Sequence, residues 1–201
     1  SEGAGPIPRN TWASCSPVAD SERVYFTFGS GLVLAADHDG NEVWRMNLKD
    51  SGGHIDLQFG YSSSPTLYKG KLYFPILTGQ WRTEIPMNEY HDGDSYLLCL
   101  DAETGKVVYR HHRPSDAVGE SFDSYTTVVP YVSGENEVIV VQGGDYTTGH
   151  DVNTGEERWR FADNPRKIAN WRLIPSPIVI DELIFNAQPR GGLAYAFNPG
   201  V

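Results

Sequence analysis

The sequence contains no apolar run near the roughly 20 residues that a membrane-spanning helix needs. From Ser1 onward it also lacks the basic, apolar and small-residue succession of a secretory signal. Direct membrane insertion is therefore not expected. Cysteine is nearly absent: with only Cys15 and Cys99 there is no disulfide framework. One bridge in an oxidising compartment and two small buried thiols both stay open, and core thiols are the commoner case. Positive charge is scarce, with 16 Lys and Arg against 26 Asp and Glu and a formal net charge of −10. Such a surface repels phosphate backbones and anionic headgroups, so nucleic acid is not an expected partner. Sustained 3.6-residue apolar stripes with capping signals are missing, which argues against helices. Missing too are a Gly-x-Ser-x-Gly elbow, a His-Glu-x-x-His pair and a Gly-x-x-x-x-Gly-Lys loop.

What the chain does have is an internal repeat. Asp37-His38-Asp39-Gly40-Asn41-Glu42-Val43-Trp44 returns as Asp101-Ala102-Glu103-Thr104-Gly105-Lys106-Val107-Val108-Tyr109. It returns again as Asp151-Val152-Asn153-Thr154-Gly155-Glu156-Glu157-Arg158-Trp159. The glycines lie 65 and 50 residues apart, and each is followed four places later by an aromatic residue. Periods of this length mark propeller blades, one of them lengthened by an insertion. Around each copy stand short Val, Ile, Tyr, Phe and Leu runs separated by turn residues, which read as antiparallel strands joined by hairpins.

Each repeat opens in a similar way: Ser16-Pro17-Val18, Ser64-Pro65-Thr66, Thr126-Thr127-Val128 and Ser176-Pro177-Ile178. Proline at a strand entry breaks no ladder bond. Gly40, Gly105 and Gly155 supply the positive φ of a tight hairpin, and the preceding Asp or Thr can hydrogen-bond to the turn backbone. Trp44, Tyr109 and Trp159 then open the outer strand, where a large ring fills the wedge between blades. These six residues are read as structural.

The Asp-x-x-Thr-Gly-x-x-x-Trp turn, the Ser-Pro entry and the period resemble the repeat of the quinoprotein (pyrroloquinoline quinone, PQQ) propeller superfamily. That group includes quinoprotein alcohol dehydrogenases and a non-catalytic outer-membrane-assembly lipoprotein. The segments Gly143 to Asp151, Asn164 to Lys167 and Asn170 to Arg172 look closer to secreted or membrane-tethered repeat proteins of environmental bacteria. The resemblance implies an all-β fold of four-stranded antiparallel blades and a periplasmic or extracellular, envelope-associated location. Repeats are expected at about 12–48, 60–114, 120–164 and 171–201, three complete and a fourth without its outermost strand. The chain then reads as a single partial domain, an arc of a seven- or eight-bladed ring whose remainder comes from missing chain or from another chain.

In a blade, the hairpin between the second and third strands lies on the same side as the linker to the next blade. The linkers are 49–61, 110–125 and 160–172; the hairpins are 29–31, 78–95, 143–146 and 188–192. They gather His54, Asp56, Trp81, Arg82, His111, His112, Asp145, Tyr146, Arg166, Trp171, Arg172 and Arg190 on one rim. Loops on rigid scaffolds tend to carry function. From this group His54, Trp81, Asp145, Tyr146, Arg166, Trp171, Arg172 and Arg190 are the candidate binding residues, while many loop Arg and Trp side chains only cap neighbouring loops. Asp92 and Asp94 in the 78–95 insertion fall short of a calcium ligand series, so no metal site is assigned.

A quinone-dependent dehydrogenase, as the resemblance implies, needs calcium under the quinone, a carboxylate base, a Trp platform and often adjacent cysteines. No adjacent cysteines occur here, and no catalytic residue is assigned. The residues favour a binding or scaffold module without cofactor, recognising a protein or glycan through one loop rim. The alternative is part of a PQQ- and calcium-dependent alcohol or sugar dehydrogenase.

Overall fold

The computed structural model describes residues 11–52, 55, 57–79 and 95–200. Among them lie four antiparallel sheets in strict chain order. The first blade is β1 (Val18–Ala19), β2 (Arg23–Thr27), β3 (Leu32–Asp37) and β4 (Glu42–Asn47). The second is β5 (Thr66–Tyr68), β6 (Lys71–Ile76), β7 (Tyr96–Asp101) and β8 (Val107–His112). The third is β9 (Val129–Ser133), β10 (Asn136–Gly143), β11 (Tyr146–Asp151) and β12 (Glu157–Ala162). The fourth holds β13 (Ile178–Ile180), β14 (Leu183–Ala187) and β15 (Ala194–Phe197). This is an all-β propeller arc of three four-stranded blades and one three-stranded blade. No helix among the described residues is long and apolar enough to cross a membrane.

The repeat turn explains itself locally. The Asp37, Asp101 and Asp151 carboxylates accept hydrogen bonds from turn amides, those of Asn41, Thr104 and Thr154 among them, at 2.8, 2.8 and 3.0 Å. Hydrogen bonds to the ionised form, or in Asp151 the Arg158 guanidinium as well, hold all three below the usual carboxylate range. Just beyond the turn a β-bulge recurs at Ala35/Ala36, Cys99/Leu100 and Gly149/His150. It leaves Val43, Val108 and Arg158 outside the ladder and sets Trp44, Tyr109 and Trp159 opposite Ala35, Cys99 and Gly149. The rings thus occupy the third residue of each outer strand, across from a small partner that leaves them room.

All three rings reach the next blade. A Cβ on Gly105 would stand 2.6 Å from the Trp44 ring, and one on Gly155 would overlap the Tyr109 ring. Trp44 Nε1 also donates to the Ala102 carbonyl at 3.0 Å. Trp159 meets Phe197 of the fourth blade edge to face, with ring centroids 6.0 Å apart.

The core is not one mass but three layers, each between successive blades. Tyr25, Val33 and Ala35 pack with Leu72, Phe74 and Leu98; Tyr73, Leu97 and Cys99 with Ile139 and Val141; Tyr131, Val138 and Val140 with Ile184. Each interior blade offers alternate residues of one strand to opposite neighbours, as the two-residue strand period dictates.

The strand entries carry a further link. Ser16 N–H donates to Ser64 Oγ at 2.9 Å, Ser64 N–H to Thr127 Oγ1 at 3.3 Å, and Thr127 N–H to Ser176 Oγ at 2.8 Å. A ladder of hydroxyls therefore runs from blade to blade along the first strands. It also corrects the third frame by one residue: Thr127, not Thr126, stands in the serine place, with Val128 where the other blades have proline.

Candidate functional site

Of the expected rim residues, His54, Asp56, Trp81 and Arg82 lie outside the described residues, as do Asp92 and Asp94. His111 and His112 belong to the end of β8 rather than to a loop, and the His111 ring stands against His150 of the next blade at 5.6 Å. The others fall into two groups at the linker side of the arc.

The first group joins linkers of different blades. Arg172 Nη1 donates to Gln58 Oε1 at 3.0 Å and to Glu120 Oε2 at 2.9 Å, and its guanidinium lies 4.5 Å from the centre of the Phe59 ring. Arg190 approaches the same Glu120 oxygen at 3.3 Å while its Nε donates to the Asn170 carbonyl at 2.8 Å. Trp171 is half-buried; its backbone N–H donates to Ser121 Oγ at 3.0 Å, and its buried indole Nε1 has no hydrogen-bond acceptor among the described residues. Below them Asp123 accepts from the backbone of Gln58 and Gly79 at 2.8 and 3.1 Å. The linker strands themselves meet in a parallel bridge between Ser124 and Leu173.

The second group surrounds the β10–β11 hairpin, where Asp145 sits at φ +69° after Gly144. The Asp145 carboxylate is buried, takes a hydrogen bond from Asn164 Nδ2 at 2.7 Å and faces Lys167 Nζ at 3.4 Å. Burial pushes its pKa up despite these partners. Tyr146 donates to Asp116 Oδ1 at 2.6 Å, and its ring lies between Arg160 and Lys167, 4.6 and 4.7 Å away. Lys167 pairs with Asp116, which these partners hold below the usual carboxylate range. Arg166 is exposed.

What holds that hairpin is a residue the sequence does not single out. Arg113 is fully buried at the head of the second linker. Its Nε donates to Thr148 Oγ1 at 2.8 Å, and its Nη atoms to the carbonyls of Gly143 and Tyr146 at 3.0 and 2.8 Å. The planar fork suits several fixed acceptors at once. Thr148 Oγ1 in turn lies 2.8 Å from His150 Nε2, and His150 Nδ1 lies 2.8 Å from the Gly155 carbonyl. The carbonyl can only accept, so Nδ1 carries a proton, and with the ring neutral Nε2 accepts from the Thr148 hydroxyl. Burial and the nearby Arg113 charge push its pKa down to about 3.

A second buried cluster joins blades three and four. Asp163 accepts from Thr147 Oγ1 at 2.7 Å and from the Tyr195 hydroxyl, while Asn186 Nδ2 donates to Thr147 Oγ1 at 2.6 Å. Burial raises the Asp163 pKa. Thr147 and Asn186 occupy places filled by Val33 or Leu97 and by Phe26 or Phe74 in the first two blades. Polar packing on both sides of blade three is thus peculiar to it; the signal in the sequence is Thr147-Thr148-Gly149-His150, read there as part of the repeat.

The opposite side of the arc carries the repeat turns and a concavity of about 500 Å³ lined by Glu135, Asn136, Glu137, Asp151 and Arg158. No group of three or more His, Cys, Asp or Glu side chains among the described residues is arranged to hold a metal ion. Cys15 and Cys99 are free thiols, pushed up by burial to about 11 and about 12.

Comparison with known proteins agrees with this architecture. Quinohemoprotein alcohol dehydrogenase of Comamonas testosteroni is 27% identical over 163 residues, covering 75% of this chain and 20% of that protein. Methanol dehydrogenase [cytochrome c] subunit 1 of Methylorubrum extorquens is 34% identical over 80 residues, 37% of this chain and 12% of its own. The chain therefore spans a fifth or less of these two curated relatives. Among solved structures, BamB from Moraxella catarrhalis superposes with a TM-score of 0.58 at 14% identity, over 92% of this chain and 49% of its own. A europium-containing methanol dehydrogenase gives 0.63 at 15% identity, over 92% and 39%. The model of the family described as outer membrane protein assembly factor BamB matches residues 29–200, and the protein belongs to that family of PQQ-like repeat propellers.

Proposed function

We propose that this chain is a non-catalytic binding or scaffold module of a bacterial extracytoplasmic PQQ-like repeat protein, recognising a protein segment through its linker rim. The observation that carries the reading is the tying of that rim: Glu120, Arg172 and Arg190 join three linkers and a hairpin, and Arg113 fixes the hairpin that bears Asp145 and Tyr146. A rim locked before binding loses little entropy on binding, and Arg, Trp and Tyr are the side chains that dominate interfaces. The family match to an outer membrane assembly factor supports an envelope location and protein partners of that assembly machinery.

The test is site-specific photocrosslinking in a bacterial envelope preparation from the exposed rim positions Arg166 and Arg190, with Glu103 on the turn side as control. Adducts to outer-membrane assembly proteins from the rim alone are expected. Equal adducts from both sides, or none from the rim, defeat the reading.

A second reading, part of a quinone-dependent dehydrogenase, is favoured by the identity of the curated relatives. The described residues do not fit that group. Glu120, Asp123 and Asp163 are each engaged by protein donors, and no three ligating side chains converge on a metal position. Saturable binding of pyrroloquinoline quinone in the presence of calcium, measured by calorimetry, would revive that reading.

A further inference from the structure

The third linker lays residues 164–172 across the second. Ser121 Oγ donates to the Ile168 carbonyl at 2.7 Å and accepts from the Trp171 N–H at 3.0 Å. A Cβ on Gly119 would stand 2.7 Å from the Ala169 carbonyl oxygen, so the two backbones touch. Asn164 ties the same turn to the third blade: its Nδ2 donates to Asp145 Oδ1 and to the Ile168 carbonyl, and its Oδ1 accepts from the Ile168 N–H at 3.1 Å. Lys167 takes φ +52° there, a left-handed backbone that a residue with a side chain adopts only where its surroundings impose it. Every one of these contacts is made within the third blade and the linkers on either side of it, and the turn they hold carries the exposed Arg166.

The charges around this turn do not balance pair by pair. Between Asn164 and Ile180 the sequence has no acidic residue and three cations, Arg166, Lys167 and Arg172. Lys167 is answered by Asp116 and by the buried Asp145. Arg172 shares the single carboxylate of Glu120 with Arg190. Arg166 makes no ion pair among the described residues. Arg166 and one of the two guanidiniums on Glu120 therefore have no carboxylate of their own, on a chain whose formal net charge is −10.

We propose that this turn receives an acidic segment of a partner protein, one carboxylate on Arg166 and a second on the Arg190 guanidinium beside Glu120. The inference rests on the rim reading above and names the chemistry that the rim recognises. The chain holds its own example of the contact: Glu120 Oε2 accepts from Arg172 Nη1 at 2.9 Å and lies 3.3 Å from Arg190 Nη2. Elsewhere an acidic surface repels such a segment, so the turn directs its approach as well as holding it. Exposed Ile168 and Ala169 in the same turn add an apolar contact. A membrane surface draws instead on clusters of about four to eight Lys and Arg, more than this patch offers free of carboxylates.

Fluorescence anisotropy at low salt, with a labelled peptide of alternating Glu and Ser and its Gln–Ser counterpart, tests the chemistry. The Glu peptide is expected to bind and the Gln peptide to stay free. Arg166→Gln with Arg190→Gln is expected to weaken binding about fivefold, the scale of two exposed ion pairs, and high salt to abolish it. Lys106→Gln with Arg158→Gln removes the same charge from the turn side and is expected to change nothing. Arg166→Gln alone, at an exposed residue with no ion pair to lose, is expected to weaken binding about twofold and serves if the double variant misfolds. Failure of the Glu peptide to bind, equal binding of both peptides, or equal loss in the two double variants overturns the proposal. So does cosedimentation with phosphatidylglycerol vesicles in place of peptide binding, which would assign the patch to a lipid surface. Photocrosslinking from exposed Ala169 in the envelope preparation separates this inference from the rim reading. Adducts on an Asp- and Glu-rich stretch of the partner, lost in the Arg166→Gln, Arg190→Gln variant, are expected. Adducts that persist in that variant keep the rim and overturn the acidic segment, whereas no adduct from any rim position overturns both.

Discussion

At the scale of single residues, His150 sets a pH dependence. Its Nδ1–H to the Gly155 carbonyl and its acceptance from Thr148 suit the neutral ring, and its folded pKa of about 3 lies below the roughly 6.5 of an unfolded histidine. The unfolded chain therefore takes the proton first. The contribution is fully present above about pH 6.5 and is lost as pH falls toward 3, with a limiting slope of about 1.4 kcal/mol per pH unit. Asp145 and Asp163 act in the opposite sense, because their raised values favour the folded state as they become protonated. The His150 share is therefore read as a difference: urea unfolding of wild type and His150→Gln between pH 7 and 4.5 is expected to show a shallower acid loss in the variant. Parallel curves would mean that the histidine is not held neutral. Gly149 offers a second residue-scale test, since any Cβ there overlaps the Trp159 indole across the bulge. Gly149→Ala is expected to cost about 1–3 kcal/mol by overpacking, with a changed Trp emission spectrum. Gly149 does not rely on positive φ, so the cost reports packing alone.

At the scale of elements, the β10–β11 hairpin is tied to the second linker by Arg113. Removing the guanidinium leaves the buried carbonyls of Gly143 and Tyr146 and the Thr148 hydroxyl short of a donor. Arg113→Met is expected to destabilise the chain by about 3 kcal/mol, and Arg113→Lys should recover little, because one ammonium cannot serve acceptors spread over the fork. Hydrogen exchange provides the check, with loss of protection at residues 143–148 exceeding that in β2 and β3. The hydroxyl ladder gives a milder case. Thr127→Val removes the acceptor for Ser64 N–H and keeps the volume, for an expected loss of about 1 kcal/mol in thermal unfolding. Strand existence was legible from alternation and turn residues. The bulge and the one-residue shift at Thr127 were not, because both depend on which backbone amide meets which partner in the neighbouring blade.

At the scale of the molecule, charge divides with the faces. The repeat turns and first hairpins carry most of the acidic excess, Asp37, Asp101, Asp151, Glu135 and Glu137 among them, while Arg160, Arg166, Lys167, Arg172 and Arg190 gather at the linker side. Most of those cations are held by carboxylates of other segments, as Arg172 and Arg190 are by Glu120 and Lys167 by Asp116. Ion pairs of this exposure weaken with salt. Rim crosslinking is accordingly expected to fall, and the thermal midpoint to drop slightly, between low and high ionic strength, whereas the apolar blade layers should hold the fold. The candidate group was legible in part. Chain alternation alone was enough to assign Asp145, Tyr146, Trp171, Arg172 and Arg190 to one rim, but the sequence gives no hint that Glu120 and Arg113 would engage them.

Local chemistry decided the blade itself: a carboxylate beside a positive-φ glycine makes the turn, and two-residue alternation makes strands with two unlike faces, so the repeat was visible in the residues alone. How far each blade turns its polar or apolar face to the next was settled only by packing between segments some 50 to 65 positions apart, whose amides and rings are unrelated in the linear chain. That distance is why the buried Arg113 and the hydroxyl ladder emerged only from the tertiary structure.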